Sequence, residues 1–157
     1  MKTRKLTASD VCEVTGYNRD QLKAVLKLPH WSAAPGARMA REFSPHDLIV
    51  LGVVRVLDSR VGIRRKQIGL MLTKLRQALL GPREVDRSAS LAISFDPIHV
   101  EYVSGKNPSR EGLLISLEPI FDRVDRYLGA ARSWNASQEN LRLGPGSLRS
   151  RRRRAVG

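Results

Sequence analysis

The sequence has few of the residues that build metal sites and disulfides. Cys12 is its single cysteine, and its three histidines are His30, His46 and His99. One cysteine forms no internal disulfide, and widely separated histidines do not make the short ligand pairs of a metal site. We therefore expect a protein without a bound metal or a disulfide.

Long apolar runs and catalytic motifs are missing as well. No run approaches the length that crosses a bilayer, and the basic N-terminus leads into polar sequence rather than into the apolar segment of a signal peptide. The sequence shows no paired carboxylates, no nucleophile motif and no glycine-rich phosphate loop. These absences predict a cytoplasmic protein that is not an enzyme, binds no cofactor and has no membrane partner.

Positive charge is what the sequence has in excess, with 28 Lys and Arg against 15 Asp and Glu and a net charge of +13. The excess is uneven: residues 1–80 hold 15 basic and 6 acidic residues, residues 81–141 hold 7 and 9, and residues 142–157 hold six Arg and no acid. A basic composition also fits ribosomal and membrane-surface proteins. The uneven distribution favours a nucleic acid, because neutralised phosphates release their condensed counterions.

Residues 7–28 predict two short helices joined by a tight turn. Thr7 begins the first helix with an acidic variant of the capping box, completed by Asp10. Gly16 ends that helix, because glycine readily adopts positive φ. Asn18 caps the second helix, with Gln21 at its capping-box position. Two short helices around a turn with glycine are the pattern of a DNA-binding helix-turn-helix.

The second helix has an apolar face and a polar face. The apolar face repeats at helical spacing through Leu22, Val25 and Leu26. The opposite face carries Arg19, Asp20, Gln21, Lys23 and Lys27. Arg and Gln form bidentate contacts with base edges, so we expect Arg19 and Gln21 to read bases in the major groove. The alternative is an ordinary solvated helix face.

Residues 29–43 are predicted to form a basic wing. Pro35-Gly36 is a turn signal, and its flanks could pair as a short two-stranded ribbon with Arg38 and Arg41 pointing outward. Such a ribbon has little stability of its own, and its arginines suit a phosphate backbone or a minor groove. The alternative is a surface loop with incidental charge.

Two more helices follow the wing. Ser44, Pro45 and Asp47 are a strong helix start, although the run Leu48 to Leu57 is so apolar and β-branched that a buried strand is an alternative. The cap favours a buried central helix that ends near Arg60.

The next helix begins after Val61-Gly62-Ile63 with three cations: Arg64, Arg65 and Lys66. Their positive charges lie at the positive end of the helix dipole, which is unfavourable by roughly 0.3–1 kcal/mol for each charge. A phosphate bound at that end would reverse the effect.

This order of elements resembles the MerR family of winged-helix regulators over roughly residues 5–80. The similar segments are Leu6 to Gly16, Tyr17 to Leu22, Gly36 to Ser44, Ser44 to Leu48 and Val61 to Ile68. The resemblance implies dimeric binding to double-stranded DNA, with the second helix in the major groove and two wings on the backbone. Phe43 stands where a tyrosine is common in the family, so one hydroxyl–phosphate contact is lost.

The resemblance assigns Arg38 and Arg41 to the first wing and Arg64 to Lys66 to the second. Together with the polar face of the second helix, it gives these DNA-binding candidates: Tyr17, Asn18, Arg19, Gln21, Lys23, Arg38, Arg41, Arg64, Arg65 and Lys66.

The second half of the chain departs from that family, whose members continue into a long dimerisation helix. Alternating apolar residues in 91–95 and 98–102, around Asp96-Pro97, predict a hairpin, and residues 113–117 predict a third strand. A helix follows from Glu118-Pro119, with the apolar stripe Ile120, Phe121, Val124 and Leu128. We expect either the edge strand of the sheet or this stripe, through Phe121, Val124 and Leu128, to form the contact of a homodimer. A small-molecule sensor is the alternative, but no ligand constellation is recognisable.

The sequence thus predicts an α+β protein: an N-terminal helical winged helix-turn-helix, then a small β-meander plus helix. The predicted domains are residues 1–82 for DNA binding, 83–132 for dimerisation or regulation, and 133–157 as a disordered basic tail. The predicted function is sequence-specific transcriptional regulation, with RNA polymerase as a further candidate partner. An excisionase-like or architectural DNA-binding protein is one alternative, and an RNA-binding or adaptor protein is another.

Overall fold

The structure, a computed structural model, describes residues 5–28, 31, 41–80 and 89–129. These residues form a mixed α+β fold of helices and a three-stranded antiparallel sheet. The elements, in chain order, are α1 (Ala8–Thr15), α2 (Arg19–Leu26), α3 (Pro45–Val56), a π-helical turn (Leu57–Val61), α4 (Arg65–Ala78), β1 (Ser90–Phe95), β2 (Ile98–Val103), β3 (Leu113–Ser116) and α5 (residues 118–129). Among the described residues, none of these helices combines the length and apolar character that crossing a membrane requires.

The predicted helix starts are confirmed by their hydrogen bonds. The Asp10 carboxylate accepts the N–H and the hydroxyl of Thr7 at 2.6 and 2.8 Å, which caps α1. The Asn18 side chain accepts the N–H of Gln21 at 2.8 Å, and the Gln21 side chain accepts the N–H of Asn18 at 3.1 Å. These bonds satisfy amides that the first turn of a helix leaves without a partner. Gly16, with φ of 77°, ends α1 as predicted.

The apolar run after Ser44 is a helix, so the prediction of a central helix is confirmed and the strand alternative is wrong. Ser44 caps α3, and its hydroxyl accepts the N–H of Asp47 at 3.1 Å. The π-helical turn extends α3 to Val61, where Gly62 takes φ of 75° and ends it. Helix α3 contacts α1 and α4, and its Leu48, Val50, Leu51, Val53 and Val54 are fully buried. It is therefore apolar on several sides because it lies at the centre of the core.

The sheet has the strand order β2-β1-β3, so the prediction of a β-meander is wrong. A meander would place β2 in the middle, whereas here β1 pairs with both neighbours: Leu91 lies opposite Tyr102 on β2 and opposite Ile115 on β3. The physical reason lies in β1, whose Leu91, Ala92 and Ile93 are all buried, as expected of a central strand. The loop 104–112 is long enough to carry the chain past β1 to its other edge.

Glycine at two positions lets elements approach closely. A Cβ on Gly112, just before β3, would lie 2.1 Å from the carbonyl oxygen of Ile93 on β1. A Cβ on Gly52 would lie 2.8 Å from Cγ2 of Ile120, so α5 packs directly against α3. Because α4 also contacts β2, the sheet and α5 complete the same core as the N-terminal helices.

The chain divides into one compact unit of residues 1–124 and a second of residues 125–157. The first unit extends across the domain boundary predicted at residues 82–83. Within it, Phe121 and Val124 are only 8% and 2% exposed. The predicted dimer contact needs a surface that these two side chains do not offer, because the core of a single chain already buries them. Leu128 lies in the second unit and is half-buried.

Candidate nucleic-acid interface

Tyr17, in the turn between α1 and α2, is the residue around which the candidate interface is organised. Its side chain is 3% exposed, and the guanidinium carbon of Arg55 lies 4.9 Å from the centre of its ring. Burial raises the pKa of the Tyr17 hydroxyl, and the nearby Asp58 carboxylate raises it further, whereas Arg55 and Arg65 oppose the shift. A tyrosine buried in this way joins the core, and it offers a nucleic acid too little surface for the contact that the resemblance implied.

The neighbours of Tyr17 bring distant parts of the chain together. Arg55 belongs to α3, Asp58 to the π-helical turn and Arg65 to the first turn of α4. The Nε atom of Arg65 lies 3.5 Å from an oxygen of Asp58. Arg55, which covers Tyr17, and Asp58, which pairs with Arg65, lie one turn apart on the continuous helix, so the start of α4 lies near the turn that leads into α2.

The first turn of α4 is cationic. Arg64, Arg65 and Lys66 are exposed, and Arg64 occupies the N-cap position without a side-chain hydrogen bond to the helix. This described turn has no acidic residue. The three positive charges oppose the helix dipole, so the site becomes favourable when an anion binds the free N–H groups and the side chains together.

The start of α2 adds two more exposed cations. Arg19 is the first residue of α2, two positions after Tyr17, and Lys23 follows one turn later on the same helix face. A long contact of 3.4 Å joins Nη2 of Arg19 to the Ser9 hydroxyl. We call Arg19, Lys23, Arg64, Arg65 and Lys66 the cationic surface.

The side chains of Asn18 and Gln21 both form hydrogen bonds that cap α2. The Gln21 side-chain oxygen accepts the N–H of Asn18, and the Asn18 side-chain oxygen accepts the N–H of Gln21. Bidentate recognition of adenine needs both the oxygen and the nitrogen of a Gln side chain. The Gln21 oxygen is therefore already engaged within the helix, whereas the Arg19 guanidinium makes one long contact with Ser9.

The predicted wing is described only at its ends. Arg38 lies outside the described residues. Arg41 is half-buried, and the chain then forms an isolated antiparallel bridge in which the N–H of Phe43 donates to the Leu6 carbonyl at 3.0 Å. An exposed ion pair of 2.6 Å joins Lys5 to Glu42 beside this bridge.

Two residues that organise the site were missed by the sequence analysis: Arg55 and Asp58. One signal was present, since Arg55 is the single charged residue in the apolar run 48–57 and a charge in such a run needs a partner. The contact of Asp58 joins the π-helical turn to α4, and no local sequence pattern predicts it. Within the described residues, no group of three His, Cys, Asp or Glu could hold a metal ion.

No protein-family model, curated protein or solved structure matches this chain. Its function is therefore inferred from its own residues.

Proposed function

We propose that this protein is a sequence-specific, double-stranded DNA-binding transcriptional regulator. One observation carries the proposal: exposed cations lie at the starts of both α2 and α4, and one turn of the central helix, from Arg55 at Tyr17 to Asp58 at Arg65, connects the two starts. Two helix N-termini at one surface combine free N–H groups with side-chain charge, which is the arrangement that phosphate oxygens favour.

The dimensions of α2 suit the major groove of DNA. An α-helix with its side chains is about 10–12 Å across, and the groove is about 12 Å wide. With the start of α2 in the groove, Arg19 reads a base edge and Lys23 approaches the bases or the nearest phosphate. Arg64, Arg65 and Lys66 bind phosphates alongside. Base contacts then supply specificity, and phosphate contacts supply register and most of the salt-dependent affinity.

The order of α1, α2, the Leu6–Phe43 bridge and α3 supports the winged helix-turn-helix that the sequence resembles. A regulator of this kind acts in the cytoplasm as a homodimer on a two-fold site, with RNA polymerase as a further partner. Because Phe121 and Val124 are buried within one chain, we propose no contact surface for the second copy. Sedimentation of the intact protein, with and without its DNA site, tests the dimer directly.

The experiment that tests the function is selection of bound duplexes from a random library, followed by footprinting on the genomic fragments that contain the selected sequence. A regulator selects one defined motif and protects a small number of sites at promoters. Clustered direct repeats away from promoters would support the architectural alternative instead. Failure to enrich any duplex sequence would overturn the proposal. Arg110→Ala, in the exposed loop 104–112, is the control variant, because it removes a cation away from the cationic surface.

A further inference from the structure

Asp20 is the single acidic residue of α2, and it lies among cations. Arg19 precedes it, Lys23 follows one turn later, and Lys27 comes directly after the helix. All four of these side chains are exposed. No hydrogen bond or ion pair joins the Asp20 side chain to another part of the chain that the structure describes. The carboxylate is therefore available to a ligand.

The buried face of α2 determines where Asp20 points. Leu22 and Val25 are only 2% and 0% exposed, and they mark the side of the helix that packs on the core. Successive residues turn by about 100° around an α-helix, so Asp20 lies about 170° from the midpoint between Leu22 and Val25. By the same measure, Arg19 lies about 100° from Asp20, at the flank of the exposed face. Asp20 thus occupies the centre of that face, in the first turn of the helix.

The centre of this face is the part of α2 that meets base edges when the start of the helix enters the major groove. Helix side chains also tilt toward the N-terminus, so Asp20 points toward the end that enters first. Asp20 is therefore better placed than a residue at the flank to contact a base.

The chemistry of a carboxylate limits which base it can contact, because it only accepts hydrogen bonds. In the major groove guanine presents two acceptors, and thymine presents an acceptor and a methyl group, so neither offers a donor. Adenine presents an amino donor beside its N7 acceptor, which repels the second carboxylate oxygen. Cytosine presents its N4 amino donor without an acceptor of its own beside it. Cytosine N4 is therefore the group that fits Asp20.

We propose that Asp20 is a specificity-determining residue that reads a cytosine through its N4 amino group in the major groove. This inference rests on the proposed function and names one base of the site. Asp20 also excludes other sequences, because a carboxylate that faces acceptors loses its hydration without gaining a partner. Arg19 and Lys23 beside it keep this face attractive to the DNA backbone.

The first experiment compares the duplexes that the intact protein and Asp20→Asn select from a random library. The change removes the charge at nearly constant size, and an amide suits adenine rather than cytosine. We expect the wild-type motif to contain a position where cytosine is preferred at least about five-fold, and Asp20→Asn to lose that preference there alone. Asp122→Asn, exposed on α5, is the matched control and should select the wild-type motif.

The second experiment modifies the cytosine at that position. N4-methylcytosine still pairs with guanine, but its methyl group blocks the amino hydrogen that faces the major groove. This change should weaken wild-type binding about five-fold and should have little effect on Asp20→Ala, in which the contact is already lost. An equal loss in both proteins would overturn the contact between Asp20 and N4.

These outcomes separate the inference from the proposed function. A wild-type motif that Asp20→Asn leaves unchanged at every position would make Asp20 an ordinary charge at the start of a helix. That result would overturn the inference and leave the DNA-binding proposal intact. A wild-type protein that selects no motif would overturn both.

Discussion

Asp58 gives the sharpest test of the cationic surface, because its removal should strengthen DNA binding. Its carboxylate lies 3.5 Å from Nε of Arg65 and is the acidic partner of the start of α4. A phosphate bound by Arg65 on its far side would lie about 6 Å from Asp58. Two unit negative charges at that distance in water repel by about 0.7 kcal/mol. Asp58→Asn removes this repulsion at constant shape and should tighten binding about three-fold.

The assay is fluorescence anisotropy at several salt concentrations, with a selected and a scrambled duplex. Both duplexes should gain affinity in Asp58→Asn, because the removed repulsion acts on the backbone and carries no sequence information. The gain should shrink at high salt as screening shortens the range of the charge. Asp122→Asn, exposed on α5, is the control with the same change in net charge. A loss of affinity in Asp58→Asn, or an equal gain in Asp122→Asn, would refute the placement of Arg65 on phosphate.

Two further predictions concern the cationic surface, and a third concerns the packing of α5 on α3. Arg19→Ala should reduce discrimination between selected and scrambled duplexes by about 1–3 kcal/mol in competition binding, because a bidentate base contact is lost. Arg64→Ala should weaken both duplexes alike and lower the slope of log affinity against log salt by roughly 0.9, the value of one phosphate contact. Gly52→Ala should lower the melting temperature by a few degrees, since overpacking against the stiff Cγ2 of Ile120 costs about 1–3 kcal/mol and helix propensity returns about 1. Ile120→Leu, which lacks that methyl, should restore part of this loss.

The helix starts could be predicted because each depends on a few neighbouring residues. The pairs Thr7 with Asp10, Asn18 with Gln21 and Ser44 with Asp47 each satisfy amides within one turn. Gly16 and Gly62 end helices for an equally local reason, because each adopts a positive φ. The apolar run of the central helix also suits a buried strand. The capping residue Ser44 favours the helix, and the structure confirms it.

The sheet order and the packing of α5 could not be predicted, because they depend on contacts between distant residues. Alternation along β1 and β2 predicts the hairpin, but nothing local tells whether β3 joins β1 or β2. The consecutive apolar residues Leu91, Ala92 and Ile93 indicate a central strand, because both faces of β1 are buried. Likewise, the apolar stripe on α5 predicts burial without naming the partner, and the structure packs its Ile120 against α3 at Gly52.

In the candidate site, too, the local features could be predicted, whereas the contacts between distant residues could not. Exposed cations at helix starts were identified from their positions in the sequence, and Arg19, Lys23, Arg64, Arg65 and Lys66 are all exposed. Tyr17 was included by resemblance, but its burial could be learned only from the fold. The link between the starts of α2 and α4 runs through Arg55 and Asp58, whose contacts no spacing rule predicts.

The most direct test of the central claim is the salt dependence of the affinity of the intact protein for three ligands: the selected duplex, a scrambled duplex and a single-stranded RNA of the same length. We expect the selected duplex to bind at least about a thousand-fold more tightly than the scrambled one at physiological salt, with both affinities falling steeply as salt rises. Equal affinity for all three ligands would mean that the cationic surface is a general polyanion site, and it would contradict sequence-specific recognition of DNA.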